Sequence, residues 1–246
     1  MQLRLLDAFK LLFEGNVYNH RISTNGDRVA YELYEDLLAL GRSNLLSRRI
    51  EDKTHVLNTT NKVLGKASRR GDGTFGELVP TEKHQEIKGY RVARGPTATL
   101  EIGAEAKIIC VAQSRQIDRV CSDLEKQIRA FQSLSPNAIS VAIIGVNRAD
   151  HYRSIEGAKG PPDSWRVTIT NGKGSRLHPV QEADRTIEIL RSRVSSLFNE
   201  FLIFEFLATN DDPLAFSWVD ESKARREYAS ALTRIARSYA GRFSED

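Results

Sequence analysis

Residues 97–111, TATLEIGAEAKIICV, constrain the fold more than any other stretch of the chain. Side chains alternate between the two faces of a strand, and here the alternation sorts them cleanly. Leu100, Ile102, Ala104, Ala106 and Ile108 form one wholly apolar face. Glu101, Gly103, Glu105 and Lys107 form the other, which Ile109 and Val111 continue. A strand this apolar belongs inside a sheet. Burying an unpaired charge is costly, so the three charges must pair, bind a metal or line a cleft.

The surrounding pattern predicts the rest of the fold. Residues 1–14 read as a short helix ending near Gly15. Thr24 or Asn25 caps a second helix running to about Gly41, with Val29, Leu33, Leu37 and Leu40 on one face. A third helix is expected over 44–64. SRRGDGTFG (68–76) is a glycine-rich connector, and 74–79 a possible strand. Strands are expected over 84–94 and 98–111, joined by a turn at Arg94-Gly95-Pro96. A helix over 113–134 carries Ile117, Val120, Leu124, Ile128 and Phe131 on one face, and 138–146 is apolar enough for a strand covered on both sides. Next come a loop (149–164), a short strand (165–170), an NGKG turn (171–174), a helix (180–198), a strand (201–208) and a basic helix (221–242). Strands alternating with helices argue for an α/β fold. The chain reads as one domain, 1–246: a helical part to residue 70, a core over 71–150, and a C-terminal part, 151–246, that completes it.

Several classes are disfavoured. The cysteines are Cys110 and Cys121, without a CxxC pair, which argues against structural zinc. Asp7 and Lys10 interrupt the N-terminal apolar residues, so that segment reads as an amphipathic helix and not a signal. No run approaches the ~20 apolar residues that span a bilayer. The expectation is a cytoplasmic protein with no membrane partner. The net charge of +4 and pI of about 9.1 permit a polyanionic partner. The five histidines lack metal-ligand spacing, and no GxSxG, P-loop or GxGxxG occurs.

Glu105 and Lys107 leave one face of the strand roughly 7 Å apart. A carboxylate there can ligate Mg²⁺ beside a scissile phosphate, with the Ala106 carbonyl as a further oxygen donor. The lysine can stabilise developing negative charge or orient the attacking water.

Glu105-Ala106-Lys107, late in a strand that follows a hairpin and precedes a helix, resembles the Glu-x-Lys half of the PD-(D/E)XK nuclease superfamily. The resemblance covers about residues 25–150. It implies a restriction-endonuclease-like core, a mixed central sheet flanked by helices, with extra N- and C-terminal helices. It further implies a Mg²⁺-dependent DNA endonuclease of restriction type, with Mn²⁺ substituting, and a homodimer. The family places its first acid, often after proline, at the start of the preceding strand. No Pro-Asp precedes Glu105, and Pro162-Asp163 comes too late. The candidates are Glu82, Glu86, Glu77 and Asp72. Glu101 is a further one, about 13 Å from Glu105 in a regular strand but closer if Gly103 marks a bulge. Glu101 and Glu86 are preferred as partners of Glu105 and Lys107, and Glu32 or Glu35 could add an outer ligand. Gln116, at the start of the next helix, could hold water or phosphate. Arg42, Arg48, Arg49, Lys66, Arg69 and Arg70 are candidate phosphate contacts. The alternatives are a catalytically inactive DNA-binding or assembly protein that keeps this fold, and a structural protein with a charged sheet face.

Overall fold

The structure is a computed structural model describing residues 2–19, 22, 24–63, 66–67, 71–111, 113–153 and 178–244; side chains of 61–63 and 66–67 are outside the described set. The predicted strand at 165–170, the NGKG turn, most of the 149–164 loop, Pro162-Asp163, Arg69, Arg70 and the Lys66 side chain lie outside the described residues.

Among the described residues six α-helices and eight strands follow in chain order, with a 3₁₀ turn (Ser195–Leu197) before β7: α1 (Arg4–Lys10), α2 (Thr24–Leu40), α3 (Asn44–Glu51), β1 (His55–Val63), β2 (Lys66–Ala67), β3 (Gly73–Glu77), β4 (Arg94–Thr97), β5 (Ile102–Ile109), α4 (Gln113–Leu134), β6 (Ile139–Asn147), α5 (Pro179–Arg193), β7 (Glu200–Leu207), β8 (Ser217–Trp218) and α6 (Glu221–Arg242). The strands form one mixed sheet ordered β2-β1-β3-β5-β6-β7-β8, with β4 parallel to β1. β1, β3 and β5 are antiparallel neighbours. β5, β6 and β7 are parallel, reached through the α4 and α5 crossovers. The chain is thus α/β, a mixed sheet flanked by helices. Among the described residues no helix is long and apolar enough to cross a membrane.

Period-two alternation explains the layers. Val141 and Ile143 of β6 face α1, α2, α3 and α6, in a core that also holds Ile102, Ala104, Phe204 and Phe206. Ala142, Ile144 and Val146 face α4 and α5 with Ile117, Leu124, Ile187 and Leu190. Every residue of β6 is buried, as the unbroken apolar run requires.

Several predicted elements need correction. The helix expected over 44–64 stops at Glu51, and residues 55–63 are strand β1. Lys53 takes a left-handed backbone, φ 57°, and the β-branched Val56, Thr59, Thr60 and Val63 beyond it favour extended chain. The strand expected over 84–94 is irregular apart from a bridge between Gln85 and Arg94, and the expected turn at Arg94–Pro96 belongs to β4. The cause lies on α2. Glu35 accepts the backbone N–H groups of Arg91 and Val92, each at 2.8 Å, and Glu32 accepts the Tyr90 hydroxyl at 2.9 Å. Those N–H groups cannot also serve a ladder. The first helix is also shorter than expected, and Thr24 lies inside α2 and does not cap it.

Asp36, fully buried on α2, ties three elements together. Its carboxylate accepts the N–H groups of Arg4 (2.8 Å) and Leu5 (2.9 Å), which open α1, and the Tyr228 hydroxyl of α6 (2.8 Å). Asp36→Ala would leave two buried N–H groups and a buried hydroxyl unpaired, at roughly 1–3 kcal/mol each. Urea unfolding is expected to register a loss of about 3 kcal/mol or more.

Candidate active site

β3 starts at Gly73, opposite Ala104 of β5. The chain enters it through Gly71, whose φ of +69° suits glycine and whose missing Cβ would sit 2.9 Å from the Ala104 carbonyl. Asp72 therefore arrives hard against β5. Its N–H donates to the Ala104 carbonyl at 3.2 Å, and its Oδ2 accepts the Ala106 N–H at 2.7 Å. The side chain thus caps the first N–H of β5 that β3 leaves unpaired. N–H and C=O of one strand residue point the same way, so the Ala106 carbonyl faces this open side too. Asp72 comes close enough to Glu105 for that charge to act on its carboxyl.

Glu105 is buried, and Lys107 is partly buried beside it; the Lys107 Nζ donates to Glu105 Oε1 at 2.5 Å. Burial alone would lower the Lys107 pKa, but Glu105, Asp72 and Asp123 outweigh it and hold the ammonium above the ordinary lysine value. The Asp72 carboxyl is pushed up to about 7, first by burial and then by the Glu105 charge, against the pull of Lys107 and the Ala106 N–H. Asp27, in the first turn of α2, adds to the push. Gly26 makes this approach possible: a Cβ there would lie 2.7–2.8 Å from the Asp72 carboxylate.

Asp72, Ala106 and Lys107 line a 270 Å³ cavity between the starts of α2 and α4. Asn25 and Gly26 come from α2, Gln116 and Arg119 from α4. Gln116 donates to the Val111 carbonyl at 3.0 Å, which fixes its side chain at the rim.

Of the residues picked from the sequence, Glu105, Ala106, Lys107 and Gln116 come together. Glu101 does not join them, because strand alternation starts only at Ile102 and the chain bends at Glu101. Its buried carboxylate is bonded to Arg49 (3.3 Å), His55 (3.2 Å) and the Tyr239 hydroxyl. Burial would raise its pKa, but these three partners hold it below the usual carboxylate range. Arg49, a candidate phosphate contact, is thereby committed to the interior. Glu86 is exposed in the irregular 84–93 segment, away from β5, because that segment never becomes a strand. Glu32 and Glu35 hold Arg4 and residues 90–92. The acid that does meet Glu105 is Asp72. Its signal was a Gly-Asp-Gly immediately before a predicted strand. Gly26 and Arg119 carried no signal of their own.

Among the described residues no cluster of three or more His, Cys, Asp or Glu side chains could hold a metal ion. The donors at this site are of another kind: two carboxylates and a main-chain carbonyl, all hard oxygen, as Mg²⁺ prefers. No protein-family model, curated protein or solved structure matches the chain.

An aspartate whose folded pKa lies above its unfolded value binds its proton more tightly when folded. Its contribution is therefore full below about pH 4 and lost as pH rises through about 7. Asp72→Asn keeps an acceptor for the Ala106 N–H and removes the titration. Thermal melts are expected to show the variant gaining on the wild type between pH 5 and 8. Parallel melting curves across that range would contradict the assignment of Asp72.

Proposed function

We propose that this chain is a divalent-metal-dependent DNA endonuclease with a restriction-endonuclease-like core. One observation carries the reading: Asp72, Glu105 and Lys107 meet at the Ala106 main chain, where β3 ends beside an open cavity. The element order supports it. With the short strands β2 and β4 interposed, α2 and α3, the antiparallel strands β1, β3 and β5, then α4 and the parallel β6 follow the succession of helix, three antiparallel strands, helix and strand in the PD-(D/E)XK superfamily. Asp72, at the start of the middle strand, takes the place of that family's first acid.

The residues fit a divalent cation. Asp72, its pKa raised to about 7 by burial and then by the Glu105 charge, shares a single lysine with Glu105, so the ionised pair favours a further positive charge. Asp72, Glu105 and the Ala106 carbonyl would hold it. When bound, Mg²⁺ supplies the Lewis acidity that offsets charge building on the phosphate. Lys107, kept protonated by both acids, donates a hydrogen bond to a phosphate oxygen or to the attacking water. Arg119, exposed on the cavity rim, offers a guanidinium to a backbone phosphate. Gln116 presents an amide to the same space. Mn²⁺ has the same oxygen preference and is expected to substitute.

Incubation with plasmid DNA and Mg²⁺ tests the reading. Cleavage is expected from the wild type and is expected to fall at least a hundredfold in Asp72→Asn, Glu105→Gln and Lys107→Ala, each checked for folding by circular dichroism. Glu86→Ala, far from the cavity, is expected to cut like the wild type. Salt-sensitive DNA binding with no cleavage in Mg²⁺ or Mn²⁺ would favour an inactive DNA-binding protein instead.

A further inference from the structure

β7 pairs with β6 along its length, but β8 covers only Phe206 and Leu207 on its other side. Arg148 N–H reaches the Phe206 carbonyl from the β6 side, and Val219 N–H reaches the Glu205 carbonyl from the β8 side. Directions alternate along a strand, so the N–H and C=O groups of Phe201 and Ile203 point outward with those of Glu205. Among the described residues no strand pairs with them there. Edges of this kind accept a further strand from another chain.

The edge is not flat to solvent. It lies in a 610 Å³ groove walled by Arg191 and Ser195 on one side and by Arg226, Glu227, Ser230 and Arg234 of α6 on the other. Phe201, Leu202 and Ile203 form its floor. Arg234 is spent on Glu200, held bidentate at 2.7 Å and 2.7 Å. Arg191 and Arg226 are exposed, and among the described residues neither side chain has an ion-pair partner. Glu227 is the one acid lining the groove. Two copies meeting edge to edge would bring these arginines together, which opposes self-pairing. An acidic strand would satisfy Arg226.

We propose that the outer edge of β7 is a docking site for an extended acidic segment of a partner protein, which adds to the sheet as a strand. Its backbone meets the outward groups of Phe201 and Ile203. Its acidic side chains lie on the α6 face and reach Arg226, and its apolar ones, on the opposite face, rest on Phe201 and Ile203. Residues 201–205 span about 13 Å, room for about five residues of partner. This site is distinct from the Asp72–Glu105–Lys107 cavity, and its existence does not depend on nuclease activity.

The probes are two capped hexapeptides, alternating valine with glutamate or valine with lysine, read by amide hydrogen exchange of the full chain. The glutamate peptide is expected to slow exchange at Phe201 and Ile203 at least tenfold, and the lysine peptide to leave it unchanged. Arg226→Glu, at an exposed position compatible with an unaltered melting temperature, is expected to abolish the effect. No protection by either peptide, or equal protection by both, would overturn the proposal. Protection that rises with protein concentration alone, with a dimer in sedimentation, would assign the edge to a second copy and also overturn it.

Discussion

The end of β3 at Gly73 is the constraint from which the candidate site follows. Had the strand continued, its backbone would have taken the Ala106 N–H and covered the Ala106 carbonyl. Instead the Asp72 side chain takes that N–H at 2.7 Å, and the carbonyl stays on an uncovered side. A carboxylate that replaces a ladder partner is held in place by the sheet itself. It also lies within reach of the Glu105 charge. The rigidity of the sheet and the electrostatic tension at its edge thus have one origin. Gly71 and Gly26 are needed for the same reason, since a side chain at either would displace the carboxylate or the strand it rests on.

Helix α2 shows how far the surroundings are arranged around this edge. Its middle turns are committed to structure. Asp36 anchors α1 and α6, while Glu32 and Glu35 hold residues 90–92 away from the sheet. Its first turn, with Asn25, Gly26 and Asp27, is pressed against the cavity and Asp72. One helix thus fixes the packing at one end and crowds an acid at the other.

Much of this was legible in the sequence where one physical signal dominated. α4 and α6 have the expected boundaries because a 3.6-residue apolar period runs uninterrupted through each. β6 was evident from an apolar run too short for a buried helix. Glu105, Lys107 and the Ala106 carbonyl were legible because charges inside an apolar strand demand a partner. Over residues 84–94 a tertiary contact overrides local pattern. A strand is expected over residues 84–94, but the Glu35 carboxylate takes the Arg91 and Val92 N–H groups. That one error displaced the preceding strand and drew attention to Glu86. With β3 recognised as the neighbour of β5, Asp72 is the acid at its start. Glu101 falls outside the site because the strand expected from residue 98 begins only at Ile102.

Glu101 and Glu105, four residues apart, show what separates a structural acid from one available for chemistry. Glu101 faces a full set of partners: the Arg49 guanidinium cancels its charge, and His55 and Tyr239 complete its hydrogen bonds. Its carboxylate is stabilised and has nothing left to bind. Around Glu105 the charges do not cancel. With Asp72 and Glu105 ionised, Lys107 neutralises one of the two, and Asp27 and Asp123 add to the acidic surplus nearby. The protein can relieve that surplus by keeping a proton on Asp72 or by admitting a cation. The first costs nothing at low pH, and the second becomes increasingly favourable as the proton is lost near neutrality. That uncancelled charge sets the Asp72–Glu105 pair apart from the Glu101 cluster, whose charge is already balanced.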